Sequence, residues 1–163
     1  MSERFLQTLR RLATCFQAFE SYGGAHLRRL GFTPSQFDVI ATLGNQPPMS
    51  CRELGERTLI TKGTLTGVLD RLESRGLLLR TPGTDDRRSV QVSLTPAGQQ
   101  AFEAAFPEHV AHLRRAFAVL DGPTLDGFDD CLERLTAGLV ATEEASPAPT
   151  PKNRMIASAR RAA

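Results

Sequence analysis

Six helices with one short β-hairpin between the fourth and the fifth, a mainly α fold with a small β wing, are predicted by three observations on this 163-residue sequence. Apolar residues recur at three- and four-residue steps in long runs near both ends. Two short, capped helical patterns follow one another across a brief turn in the middle. Directly after them the pattern changes to strand alternation on either side of a charged, turn-rich loop. A hairpin that follows a helix-turn-helix is a wing, so the predicted fold class is a winged helix-turn-helix.

The elements follow in order. Phe5, Leu9, Leu12, Phe16 and Phe19 line one face of a long first helix, with Gly23-Gly24 as its weak point. Thr33-Pro34-Ser35-Gln36 supplies a cap, a proline at the first helical position and a glutamine three residues on, so a second helix starts there. Phe37, Ile40, Ala41 and Leu43 are its apolar face, and Asn45-Gln46-Pro47-Pro48 ends it. Ser50-Cys51-Arg52-Glu53 is a capping box opening a third helix with Leu54 buried, and Thr58, Leu59 and Ile60 form the turn after it. Thr61 caps a fourth helix whose Leu65, Val68, Leu69 and Leu72 fall on one side, and Arg75-Gly76 stops it.

Leu77 to Arg80 and Val90 to Leu94 are the two hairpin strands, with the charged, turn-rich loop Thr81 to Arg88 between them. Thr95-Pro96 begins a fifth helix bearing Phe102, Phe106, Val110, Leu113, Phe117 and Leu120, with a kink expected at Pro107. A last helix starts near Pro123 and carries Leu125, Phe128, Leu132, Leu135 and Leu139. These divisions give a folded region 1–144, with a middle lobe at about 34–95 between helical segments at about 3–30 and 96–143. Residues 145–163 are proline-, alanine- and base-rich, a composition expected to stay disordered.

Composition bounds the function. A hydrophobic content of 40% supports one core, and the charged N-terminal residues leave no apolar run for a signal peptide or a membrane span, which predicts a cytoplasmic protein. The net charge of +2 hides an uneven distribution: without the four bases of the tail, residues 1–144 carry −2. Residues 96–144 are strongly acidic, while residues 50–95 hold eight bases against six acids, so a polyanion should meet the middle of the chain. Cys15, Cys51 and Cys131 fit neither a disulfide framework nor a zinc site and are expected to be reduced, most of them as packing residues. No nucleophile with a local partner, phosphate loop or metal-ligand cluster is present, so no enzyme, cofactor or metal is expected.

The fourth helix carries the informative chemistry. Opposite its apolar stripe lie Gly63, Gly67, Asp70 and Ser74, flanked by Thr64, Thr66 and Arg71. Two glycines on an exposed helical face cost about 1 kcal/mol each relative to alanine, which folding alone does not explain but close approach to another surface does. Thr61, Lys62, Thr64 and Thr66 offer hydroxyls, a cation and free amides to phosphates and major-groove edges, with Ser50 and Arg52 contributing from the preceding helix. A solvated face with tolerated glycines is the plainer alternative. In Asp86-Arg87-Arg88-Ser89 a carboxylate two residues before a guanidinium holds it in one geometry, which suits a minor groove.

Taken together, Thr33-Pro34-Ser35-Gln36-Phe37, Thr61 to Glu73, Gly76-Leu77, Asp86-Arg87-Arg88-Ser89-Val90 and Leu94-Thr95-Pro96-Ala97-Gly98 resemble the MarR (multiple antibiotic resistance regulator) family in residues and spacing over about residues 3–143. The resemblance implies a triangular homodimer in which the first and last two helices interlock. Its recognition helices would occupy successive major grooves of a pseudo-palindromic double-stranded operator, with Asp86 and Arg88 in the family's wing positions. It implies a transcription regulator, a repressor released by a small-molecule effector such as an aromatic acid. The apolar stripes on helices one, five and six are longer than a small winged domain needs, which independently suits an intertwined helical dimer interface.

Some relatives sense peroxides through a thiol on the first helix. Cys15 lies later on that helix than the sensing position, and Phe37 stands where a tyrosine is expected, so a structural cysteine is the preferred reading. His26, Arg28 and Arg29 near the end of helix one, and His109 and His112 on helix five, either contact an effector or lie at the surface. A winged helix serving only as a protein-interaction module is the rival from another class.

Overall fold

The computed structural model describes residues 2–83 and 90–145. The elements are α1 (Ser2–Arg29), α2 (Pro34–Leu43), β1 (Met49–Ser50), α3 (Cys51–Arg57), α4 (Lys62–Ser74), β2 (Leu78–Pro82), β3 (Val90–Leu94), α5 (Pro96–Phe117) and α6 (Gly122–Ala145). They divide into two units that part between Phe117 and Ala118. No helix among the described residues is long and apolar enough to cross a membrane. The wing residues Asp86, Arg87 and Arg88 and the basic tail lie outside the described residues.

Local chemistry sets the boundaries. At α2 the capping box is complete: Gln36 N donates to Thr33 Oγ1 at 3.2 Å, and Thr33 N donates to Gln36 Oε1 at 3.0 Å. At α3 only half of the expected box forms. Glu53 N donates to Ser50 Oγ at 3.1 Å, but the Glu53 carboxylate pairs with Arg57 at 2.7 Å instead of reaching back. Thr61 precedes α4 without a side-chain bond to its backbone; its hydroxyl lies 3.0 Å from that of Thr64. Gly76 ends the α4 region at φ 70, where a side chain would be strained. The last helix begins one residue before Pro123 and is capped by Asp121, which accepts from Thr124 N at 3.0 Å. α5 runs through Pro107 as one helix and stops at Phe117, short of Leu120.

The sheet has the order β1-β3-β2 and is antiparallel throughout. Its hairpin was expected; β1, pairing Met49 with Val92 and Ser50 with Gln91, was not. Pro82 sits at the end of the edge strand β2, opposite Val90.

The core of the first unit lies beneath the helix-turn-helix. Val39, Ile40, Leu54, Leu69, Leu72, Val68 and Val92 are its most deeply buried side chains. Each such aliphatic residue contributes about 1.5–3 kcal/mol by leaving water. Gly23 and Gly24 do not weaken α1. They lie buried within a continuous helix, and a Cβ on Gly23 would touch Leu113 at 3.6 Å and His109 at 3.7 Å, so the glycine marks a close crossing with α5. The apolar stripe before it, from Phe5 to Phe19, is exposed.

Thr95 joins the wing to α5: its hydroxyl donates to Gly76 O at 2.7 Å and accepts from Gly98 N at 3.0 Å. A Cβ on Gly98 would run into the Leu77 carbonyl, which is held by Thr95 N at 3.1 Å and cannot swing aside. Gly98→Ala is therefore expected to lower stability by about 1–3 kcal/mol, read as a lower denaturation midpoint at unchanged slope. An unchanged midpoint would mean that this junction yields freely.

Candidate nucleic-acid interface

Burial of Leu65, Val68, Leu69 and Leu72 turns one face of α4 inward and fixes which residues face out. Thr61, Gly63, Thr64, Thr66, Asp70, Arg71 and Ser74 are exposed and Gly67 is half-buried, as the helical spacing predicted. A Cβ on Gly63 would meet nothing within 4 Å, whereas one on Gly67 would lie 3.9 Å from Arg71 Nη2, so the Arg71 guanidinium folds back across Gly67. The outer face is thus hydroxyls, bare backbone and one guanidinium.

Three residues expected on this face or in the site have other partners. Asp70 is not a free outward carboxylate. Arg80 of β2 donates to Asp70 Oδ1 at 2.8 Å and to Glu73 Oε2 at 2.9 Å, tying the wing strand to the flank of α4. Burial opposes the charge on Arg80, but the bond to Asp70 and the charge of Glu73 outweigh it and move its pKa upward. Sequence reasoning missed this clamp, because a single arginine in an alternating strand gives no sign of which helix it meets. Ser50 Oγ is occupied as the α3 cap, and Arg52 is exposed but paired with Glu56 at 3.1 Å. At the turn of the motif, Asp38 Oδ2 accepts from Leu59 N at 2.8 Å, which holds the entry to α4 against α2.

Behind this lobe, a cavity of about 380 Å³ opens between α1, α2 and α5. Phe16, Phe19, Leu27, Phe37 and Ile60 make it largely apolar; Glu20, Asp38, Ser35 and His109 supply its polar side chains. Of the five residues considered for contact with an effector, only His109 lines it. Arg29 is exposed, and His26 and His109 are not surface residues but are each only 6% exposed. His26 Nδ1 lies 3.1 Å from His109 Nδ1, and the His112 ring stacks on His26 with centroids 4.0 Å apart.

The cysteines also depart from expectation. Cys15 and Cys131 are exposed rather than packed, and Cys51 is half-buried against the core. Tyr22, the only tyrosine, donates its hydroxyl to His112 O at 3.1 Å and so faces α5 rather than the Cys15 thiol.

Comparison with known proteins agrees with this geometry. The MarR family profile matches residues 32–90, from the residue before the α2 cap to the start of β3. YkoM of Bacillus subtilis, an HTH-type transcriptional regulator, is 31% identical over 118 residues, covering 72% of this chain and 77% of YkoM. A MarR family transcriptional regulator of Streptomyces coelicolor, solved in complex with DNA, superposes with a TM-score of 0.79 at 22% identity, over 85% of this chain and 93% of that one. Bordetella bronchiseptica BpsR, whose DNA binding is regulated by 6-hydroxynicotinic acid, superposes with a TM-score of 0.67 at 26% identity, over 80% of this chain and 98% of BpsR. With six helices and a three-stranded sheet among the described residues, the chain belongs to the MarR family of winged helix-turn-helix transcriptional regulators, DNA-binding proteins that are not enzymes.

Proposed function

We propose that the chain is a homodimeric repressor that inserts α4 of each protomer into successive major grooves of a pseudo-palindromic operator and is released by an effector bound between α1, α2 and α5. The observation that carries this reading is the Cβ-free, hydroxyl-rich outer face of α4, held outward by a buried stripe on the opposite side. Thr61, Lys62, Thr64, Thr66 and Arg71 contact phosphates and base edges, and Gly63 and Gly67 let the helix backbone approach the groove floor. Ser50 and Arg52 add backbone contacts at the α3 N-terminus. On the wing, Asp86 orients Arg88 toward the minor groove, with Arg87 beside it.

Dimerisation uses the helical segments at about 3–30 and 96–143, outside the DNA-binding lobe at about 34–95. Phe5, Leu6, Leu9, Leu12, Phe16 and Phe19 leave a continuous stripe of α1 in solvent, 39–64% exposed, and α6 leaves Phe128, Leu135, Leu139 and Val140 uncovered. Stripes of that length belong to an interface rather than to a monomer surface.

The cavity also refines the effector. Among the described residues its lining has two carboxylates, Glu20 and Asp38, and no lysine or arginine; the Arg28 guanidinium lies near Gly24 at its edge. The two carboxylates favour an aromatic effector that is neutral or cationic over the expected aromatic acid.

Three measurements test this reading. In the Gly63→Ala/Gly67→Ala double variant, thermal stability should hold or rise, by up to about 1 kcal/mol per site, while operator affinity falls; equal affinity with raised stability would remove this face from the DNA. Arg88→Ala should weaken binding and reduce the slope of log K against log salt by about one, and an unchanged slope would exclude that arginine from the interface. Benzylamine- and phenol-type probes should release the duplex at lower concentrations than benzoate or salicylate, with the preference reduced in Glu20→Gln. The reverse order would contradict the assigned ligand class.

A further inference from the structure

All three histidines of the chain meet where α1 crosses α5. With Tyr22 they form a column drawn alternately from the two helices: Tyr22 on His112 at 4.1 Å between centroids, His112 on His26 at 4.0 Å, and His26 on His109 at 5.3 Å. Helical spacing builds it, since Tyr22 and His26 are one turn apart on α1 and His109 and His112 one turn apart on α5. Phe37 of α2 closes the end, its ring edge-on to His109 at 4.9 Å.

The column accepts protons poorly. At 3.1 Å, His26 Nδ1 and His109 Nδ1 share one hydrogen, one ring donating and the other accepting. A first added proton can sit on His26 Nε2, where Glu108 Oε1 lies at 3.6 Å. A second makes both Nδ1 atoms donors aimed at each other inside the protein. Among the described residues, His112 Nε2 is buried with no hydrogen-bond partner.

The surroundings agree in sign. On α1, Arg29 adds positive charge, Tyr22 is committed as a donor to His112 O and Glu20 shares the cavity that His109 lines; on α5, Arg115 adds positive charge and Glu108 opposes it. From α2 the column receives the apolar Phe37, while Asp38 lies on the wall of the cavity that His109 lines. Burial first, then His112 and Arg29, holds His26 below its ordinary 6.5; burial, then His26 and His112, does the same for His109.

We propose that this column is an acid-operated release: protonating the His26–His109 pair forces α1 and α5 apart at their crossing and weakens the grip on DNA. The route runs from His109 through Phe37 to α2, whose Asp38 holds the turn that leads into α4. The DNA step rests on the operator-binding function proposed above; the opening of the column does not. Because both imidazoles have lowered pKa values when folded, the unfolded chain takes up protons first. The stability they contribute is full above about 6.5 and is lost as the pH falls toward the folded values. Acidification otherwise adds positive charge and strengthens DNA binding, so a loss of affinity has a distinctive sign.

The chain has one tyrosine and no tryptophan, so intrinsic fluorescence of the full-length protein reports Tyr22, and hence this column, alone. Between about pH 8 and pH 5 the emission should step with a midpoint below 6.5, more steeply than a single-proton curve, and His26→Gln and His109→Gln should each abolish the steep step. Histidine Cε1–H resonances of the wild type should follow the same curve, which keeps the test valid if a variant folds poorly. For a duplex from the protein's own upstream region, wild-type affinity should fall by about tenfold over that range while the His109→Gln protein holds or gains affinity. A shallow titration at the ordinary imidazole value, or wild-type affinity that rises on acidification, would overturn the proposal. A duplex bound at no pH would count against the operator reading and leave the column to be judged by fluorescence and resonance shifts.

Discussion

The orientation of α4 is the constraint on which the rest depends. Leu65, Val68, Leu69 and Leu72 lock that helix against the core, and a change of register by one residue would turn it by about 100° and carry part of this stripe into solvent. Four buried aliphatic side chains oppose such a rotation at about 1.5–3 kcal/mol each. On its flank, Arg80 fastens β2 to Asp70 and Glu73, so the wing strand and the recognition helix move as one piece. The outer face thereby keeps its bare backbone at Gly63 and its hydroxyls at Thr64 and Thr66 in fixed positions, which under the proposed DNA contact lowers the ordering cost of binding.

A second constraint acts at the crossing of α1 and α5. Gly23 allows the helices to meet closely, and the histidine column fills the space beside it. On one side of that crossing lies the cavity under the helix-turn-helix; farther along α1 lies the uncovered apolar stripe. A ligand or a proton acting there would reach both the lobe proposed to meet DNA and the helix proposed to meet a second copy. It needs no separate relay, because α2 packs on both α4 and α5.

Much of this was legible in the sequence, and the exceptions have physical causes. Thr33, Pro34 and Gln36 announced α2, Gly76 the end of α4, and the alternation of Val90 to Leu94 the returning strand, because each signal is local. β1 has two residues, too few to show a period. The capping box at Ser50 failed by half because Glu53 had a competing arginine one turn on. Gly23-Gly24 reads as a helix breaker in one dimension, and only a neighbouring helix makes it a packing site. The one-turn spacing of His109 and His112 was visible, but their stacking on His26 depends on how two helices separated by 83 positions align. Exposure of Cys15 and Cys131 was likewise hidden, since an amphipathic stripe does not reveal whether its own chain covers it.

The account joins an outward recognition helix to an unpaired apolar stripe, and both halves meet in the stoichiometry of the DNA complex. The most direct test is a footprint on the flanking intergenic duplex combined with sedimentation of the complex under the same conditions. Two chains per duplex, with two protected half-sites about 10 base pairs apart centre to centre or a multiple of that, are the predicted result. One chain on a single protected segment, or a dimer that protects no half-sites at low salt, would contradict it.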